Sequence, residues 1–335
     1  MNIKELSAYL NLSTATVSKA LNDKSDISIC TRNKVKEAAI KLGYHPNISA
    51  RSLRSCKSNT VALLLSVTEG DNILTSSFFM RILKGLQPSL KARDIDLVIY
   101  FSTDSEDEHQ LLQKIIQQQR VDAIILTDTR VDDSRINYLH AQKFPFVTMG
   151  QSKTLEGEFN WVDMNHYLMG QECVRHAVRH KAKRIALVTQ SQESMHGQQF
   201  LQGCVQALQS LNQSFSKECV FYGNKTEQSG IAALEYFFLL ENRPDFIIFI
   251  NDLQLMGANS YLTRSENQWL DREAMVCAIE SSDFVLRMLP NSCLFTMDHQ
   301  QIGCKLGEAV LRVIERPDHV KNMLLKICPK CKIQN

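Results

Sequence analysis

The sequence predicts an α/β protein: an N-terminal three-helix, helix-turn-helix headpiece followed by a two-lobed core of doubly wound parallel sheets. Three observations carry this. Residues Ile3 to Leu21 read as two short amphipathic helices around a tight turn. From Val61 onward, continuous apolar strands alternate with amphipathic helices, as βαβ units with a parallel sheet covered on both faces require. That alternation restarts at Arg184, so two such halves stand in tandem.

In the first helix Ile3, Leu6 and Leu10 fall three and four apart and make one apolar stripe. Asn11 and Leu12 form the turn. Ser13 stands where the second helix starts, and its hydroxyl can accept from an orphan backbone N–H. Val17, Ala20 and Leu21 then face inward, and Thr14, Ala15, Ser18 and Lys19 face out. Short or basic residues on the outer face suit a helix entering the major groove of DNA. Thr31 to Leu42 repeats the helical spacing through Val35, Ala38, Ala39 and Leu42, and Gly43 supplies the stop. Residues 1–46 are assigned to this DNA-binding domain. Met1 to Ser58 holds ten Lys or Arg against four Asp or Glu, whereas the whole chain has a net charge of only +2, so the cationic excess sits on the DNA-facing module.

Residues 47–58 are assigned to a hinge helix and linker. Ile48 to Arg54 has helical propensity but is too short to be stable alone. The core is assigned to 59–335. Its strands are expected at Val61–Ser66, Asp96–Phe101, Ala123–Leu126, Phe146–Thr148, Arg184–Thr189, Cys219–Tyr222, Phe246–Ile250 and Ala274–Ile279. Helices are expected at Phe78–Leu90, His109–Gln119, Gln199–Ser210 and Ser229–Glu241. One lobe is expected to comprise about 59–160 with 288–318, the other about 161–287 with 319–335.

Composition narrows the function. At 335 residues the chain exceeds one compact unit, and no run approaches the roughly 20 apolar residues of a membrane span. The N-terminus reads as a polar helix start rather than a signal peptide, so a cytoplasmic location and no membrane partner are expected. The ten cysteines are scattered, which fits free thiols in a reducing compartment. Cys328-Pro-Lys-Cys331 is a lone C-x-x-C without a second ligand pair, so no metal site is expected. There is no G-x-S-x-G elbow, Walker A loop, dinucleotide G-x-G-x-x-G or paired-carboxylate site, so the chain is not expected to be an enzyme or to need a cofactor. His176 and His180, one helical turn apart beside Arg175 and Arg179, read as a solvated basic face. No leucine heptads follow Leu325, which favours a dimer over a coiled-coil tetramer.

The succession S-T-A-T-V-S-K-A-L-N (Ser13 to Asn22), T-R-N-K-V-K-E-A (Thr31 to Ala38), L-G-Y-H-P-N (Leu42 to Asn47) and A-R-S-L-R (Ala50 to Arg54) resembles the LacI/GalR family of transcription regulators. Weaker similarity continues through Ser77–Gly85, Phe144–Val147, Lys183–Val188, Asn251–Ala258 and Ile302–Ala309. The resemblance implies a core like that of periplasmic binding proteins. It implies a homodimeric repressor on a palindromic double-stranded operator, with lobes closing around a small effector. It places Thr14 and Ala15 over base edges, where such small side chains read thymine methyls or a single hydrogen bond. Lys19 is placed to donate to guanine or phosphate. Thr16, Ser18, Asn22, Thr31 and Asn47 become phosphate-positioning donors, with ordinary helix surface as the plain alternative. Ala50 and Leu53 belong to the hinge, where Leu53 is expected to wedge into the minor groove or pack on its dimer mate. A hinge that folds only on DNA couples effector to operator, and about 1–3 kcal/mol of coupling changes affinity roughly 5- to 150-fold.

The same resemblance locates the effector between the lobes, at strand C-termini. Asp252, after Phe246–Ile250, matches the family's ligand-binding aspartate, although a strand-end cap would also explain it. Phe79, within Ser77–Gly85, is carried over as a cleft residue. The family's arginine three residues before a glycine becomes Phe200, aligned on Gly203. Its aromatic platform becomes Lys225, aligned on Gly223 and Gly230, and its later aspartate becomes Glu280 or Ser281. An aromatic face thus replaces a hydroxyl clamp, and a cation replaces a stacking face. A sugar or sugar derivative is the expected effector, with a sugar phosphate, an acidic sugar and a nucleoside-like ligand open. The alternative is the same DNA-binding type controlled by a protein partner or a non-sugar ligand.

Overall fold

The computed structural model describes residues 2–44, 58–67, 73–103, 108–264, 269–271, 274–277, 293–317, 319–320, 322–324 and 330–332. Asn47, Ala50, Leu53, Glu280, Ser281, Cys328 and nearly all of the expected hinge lie outside them. Residues 1–58 and 59–335 form separate compact units.

The first unit holds α1 (Ile3–Leu10), α2 (Thr14–Leu21) and α3 (Ile29–Lys41). Asn2 and Glu5 form a capping box at the start of α1, so two orphan N–H groups are satisfied reciprocally. Asn11 closes α1 in the left-handed region at φ 55°. Ser28 caps α3 by accepting from Thr31 N at 3.2 Å, so the helix begins two residues before its expected start. Ile29 and Cys30 at that start are exposed and do not join the apolar stripe, which is why spacing missed them. Gly43, at φ 62°, ends α3 while Tyr44 N donates to Ala39 O. Leu6, Val17, Ala20 and Val35 have no exposed surface and, with Leu10, Ala38, Ala39 and Tyr44, make the unit's core.

In the second unit, β1 (Thr60–Val67), α4 (Ile73–Lys91), β2 (Asp96–Thr103), α5 (Glu108–Gln117), β3 (Ala123–Leu126), α6 (Ser134–Ala141), β4 (Phe146–Met149) and β5 (Trp161–Asp163) build the first lobe. Its parallel sheet has the order β11-β5-β4-β3-β1-β2, where β11 is Met323–Leu324. β3 is buried along its whole length, as its unbroken Ala-Ile-Ile-Leu run requires of a central parallel strand. The second lobe holds α7 (His166–Arg179), β6 (Ile185–Gln190), α8 (Met195–Ser210), β7 (Val220–Gly223), α9 (Glu227–Phe238), β8 (Phe246–Phe249), α10 (Asp252–Arg264), β9 (Met275–Cys277) and β10 (Cys293–Thr296). Its sheet runs β12-β10-β9-β8-β6-β7, with β12 (Lys330–Lys332) antiparallel to β10 and all other pairs parallel. α11 (His299–Glu315) returns to the first lobe and packs on α4.

The chain changes lobe at other points than expected. β5 and β11 belong to the first sheet, and β10 and β12 to the second. The first crossing therefore falls between Asp163 and His166, the second between Thr296 and His299, and a third between Leu324 and Lys330. Helix pairs set each lobe's geometry: a Cβ on Gly85 would collide with the Gln300 carbonyl, and one on Gly303 with the Ile82 carbonyl, so α4 and α11 touch backbone to backbone. α6, α10 and α11 correspond to none of the expected helices.

His176 is a correction, while Arg175, Arg179 and His180 are exposed as expected. His176 is buried, with its ring 4.4 Å from that of His180 and edge-on to Phe246 and Phe295. It belongs to the core against β8 and β10, not to a solvated face, and burial beside His180 and Arg179 pushes its pKa down to about 4.

Candidate DNA-reading helix and effector cleft

α2 is held by its cap and by two buried residues. Thr16 N donates to Ser13 Oγ at 3.0 Å, and the Thr16 and Ser13 hydroxyls are 2.8 Å apart. Val17 and Ala20 point into the core, which turns Thr14, Ala15 and Lys19 to the solvent; Ser18 is half-buried. Lys19 Nζ sits 2.5 Å from Asp26, and this bond holds the Asp26 carboxyl below its usual range. Asn22 Nδ2 donates to Ser18 O at 2.7 Å, and Thr31 Oγ1 lies 2.8 Å from Ser28 Oγ. Thr16, Asn22 and Thr31 thus all sit at helix ends, where they satisfy the headpiece's own backbone or caps.

In the second unit the strand order of each lobe reverses between β1 and β3 and between β6 and β8, and open α/β sheets bind ligands at such switch points. There the two lobes face each other. A cavity of about 100 Å³ is lined by Phe78, Phe79, Asp128, His166, Lys225 and Asp252, among others. At ~10–15 Å³ of such space per water, that admits a handful of waters.

The lobes are bridged around this cavity. Lys225 of the second lobe is ion-paired with Asp128 of the first. Beside it Val131 N donates to Glu193 O at 2.8 Å and Met195 N to Thr129 O at 3.2 Å. The segment carrying Asp128 is fixed from behind by Arg135, a fully buried guanidinium that pairs with Asp133 at 2.8 Å and donates to the carbonyls of Thr127 and Asp128, both at 3.1 Å. Burial opposes ionisation of Asp128, but Lys225 and Arg135 outweigh it and hold its pKa below the ordinary value. Asp163 shows the same balance: burial is overcome by His166, 3.3 Å away, by Gln151 and by the Met164 N–H. Burial, with Lys225 and His166 close by, pushes His196 down to about 3.

Of the expected effector residues, Phe79, Lys225 and Asp252 are brought together on the cavity wall. Phe200 is not. It has no exposed surface and lies in the second lobe's core with Cys173, Cys204 and Ala207. His196, one helical turn earlier on α8, faces the cleft instead. Sequence reasoning also missed Asp128, Asp163, His166, Gln190 and Asn251. All but His166 lie at or just beyond a strand C-terminus, a positional signal that could have found them. Among the described residues, no cluster of His, Cys, Asp or Glu is placed to hold a metal ion, and no helix is long and apolar enough to cross a membrane.

Comparison with known proteins agrees with both units. Residues 2–47 match the family described as bacterial regulatory proteins, lacI family. Residues 40–330 match the periplasmic binding proteins and sugar binding domain of the LacI family. The chain is 28% identical to the HTH-type transcriptional regulator RafR of Escherichia coli over 77% of its own length and 75% of that protein's. Its fold is similar to that of the CelR–cellobiose complex (TM-score 0.73, 22% identity, all of both chains). It is also similar to the lac repressor dimer bound to operator and the anti-inducer ONPF (TM-score 0.82, 20% identity, 100% of this chain and 99% of that one). With a reading helix of the right build in one unit and matches that span both, the chain belongs to the LacI family: it is a DNA-binding transcriptional regulator, not an enzyme.

Proposed function

We propose that the protein is a cytoplasmic repressor that binds a palindromic operator as a homodimer and changes its operator affinity when a sugar or sugar derivative enters the cleft between the core lobes. The observation that carries the DNA half is the outward face of α2, where Thr14, Ala15 and Lys19 stand together over a core fixed by Val17 and Ala20. Small side chains leave room for base edges, and one cation supplies a guanine or phosphate contact. Thr16, Ser18, Asn22 and Thr31 position phosphates; the expected contacts of Asn47, Ala50 and Leu53 lie outside the described residues.

The cleft supports the effector half. It lies at both topological switch points and combines phenylalanine walls with convergent polar groups, the usual composition of a small-ligand site. The likeness to a cellobiose-bound regulator favours a carbohydrate. Selecting operators from a random duplex pool, then footprinting the winner with and without a panel of sugars, tests both halves. A two-fold-symmetric footprint that a sugar weakens or strengthens supports the reading. A symmetric footprint that responds to no small molecule, but to a cell protein, would give control to a protein partner.

A further inference from the structure

The cavity's charge pattern bears on which effector fits it, and the inference rests on the proposed control by a small ligand. Among the described lining residues, three carboxylates (Asp128, Asp163, Asp252) face one ammonium, Lys225, and two imidazoles; no arginine is present. His196, pushed down to about 3, is neutral at pH 7. His166 stands 3.3 Å from Asp163, so the Asp128–Lys225 pair is the charge a ligand in this cavity has to answer.

The one ammonium belongs to the protein and crosses the cleft to reach Asp128. Its side chain keeps 34% of its exposure, so Lys225 has room to swing into water. Asp128 has no such freedom. It stands in the left-handed region at φ 51°, with its carbonyl held by Arg135 at 3.1 Å. Whatever displaces Lys225 leaves a fixed carboxylate to be answered.

A second observation points to a ligand. Asn251 is 9% exposed and lines the same cavity. Its Oδ1 accepts from Gln254 N at 3.0 Å, which fixes the amide's orientation, and its Nδ2 has no hydrogen-bond partner. A buried donor left unpaired is costly, and a ligand oxygen would satisfy it. Phe78 and Phe79, edge to face at 5.2 Å, add an apolar wall that suits a sugar's C–H face and tolerates a nearby cation.

We infer that the effector is of the amino-sugar class, a compact hydroxylated ring whose primary ammonium replaces Lys225 at Asp128 while a ring oxygen or hydroxyl accepts from Asn251. An acidic or phosphorylated sugar in the place of Lys225 would set its own anion against Asp128. A neutral sugar would break the Asp128–Lys225 pair without replacing its charge.

Calorimetric titration of the full-length protein at pH 7 with glucosamine, galactosamine and mannosamine, against glucose, galactose, mannose and glucuronate, tests this. At least one amine should bind more tightly than its parent hexose and than glucuronate. Lys225→Met should tighten that amine roughly fivefold, because one partly exposed ion pair no longer competes. Asp128→Asn should abolish the preference for the amine over its parent. Tighter binding of a neutral hexose or of glucuronate, or weaker amine binding in Lys225→Met with an unchanged melting temperature, overturns the amino-sugar inference and leaves sugar control standing. Binding of none of the seven, with operator binding intact, overturns both.

Discussion

Lys19, the one cation on the outer face of the reading helix, is tied to Asp26 at 2.5 Å across an exposed turn. On the proposed contact of Lys19 with DNA, the operator competes with an acid of the protein itself for this lysine. Asp26→Asn should raise affinity for operator and for unrelated duplex alike. Lys19→Ala separates the two roles open to the side chain. If Lys19 contacts a base, the loss is about 1–3 kcal/mol and confined to operators carrying that base. If it contacts phosphate, binding weakens uniformly and the salt slope falls by about 0.9. Equilibrium binding at several salt concentrations reads both.

The headpiece rests on few apolar contacts, so it should be the fragile unit. Leu6→Ala removes a fully buried side chain and should cost about 2–5 kcal/mol. Ser13→Ala removes the cap of α2 and should cost about 0.5–2 kcal/mol. Both should abolish or weaken operator binding while leaving the melting of the larger unit unchanged in calorimetry.

Arg135 tests the rigidity of the segment that bridges the lobes. Arg135→Met leaves Asp133 buried without its partner, and breaking such a pair costs about 3–5 kcal/mol. The variant should melt earlier. Gly303→Ala should also destabilise the first lobe, by about 1–3 kcal/mol, because its Cβ meets the Ile82 carbonyl. Chemical denaturation of each variant measures both effects.

Acid should weaken the second lobe through His176. Its folded pKa of about 4 lies below the ordinary value of 6.5, so between these the unfolded chain binds the extra proton. The stability from a neutral, buried His176 is full above pH 6.5, falls as pH drops through that value, and is gone below about 4. The whole span is about 3 kcal/mol. Urea midpoints from pH 7.5 to 5 should fall in the native chain and fall less in His176→Gln.

The helix-turn-helix was legible because its caps and its apolar stripe both lie in a single short stretch. Parallel strands such as Ala123–Leu126 were legible because burial on both faces demands an unbroken apolar run. Lobe membership was not, because β11 is only two residues long and carries no run of its own. Phe200 was misplaced by following the family's pattern rather than the helix's period. Phe200, Cys204, Ala207 and Leu208 repeat at four, seven and eight residues, the signature of a core stripe. Asp128 and Lys225 are 97 residues apart in the chain, and only the facing of two sheets makes them a pair.

Dimeric, sequence-selective DNA binding is read by equilibrium binding of the purified full-length protein to an operator selected from random duplexes, at moderate ionic strength, with a hydroxyl-radical footprint. The expected result is protection related by a two-fold axis, and loss of sequence preference when Thr14, Ala15 and Lys19 are replaced together. Equal affinity for every duplex, with or without sugars, would contradict it.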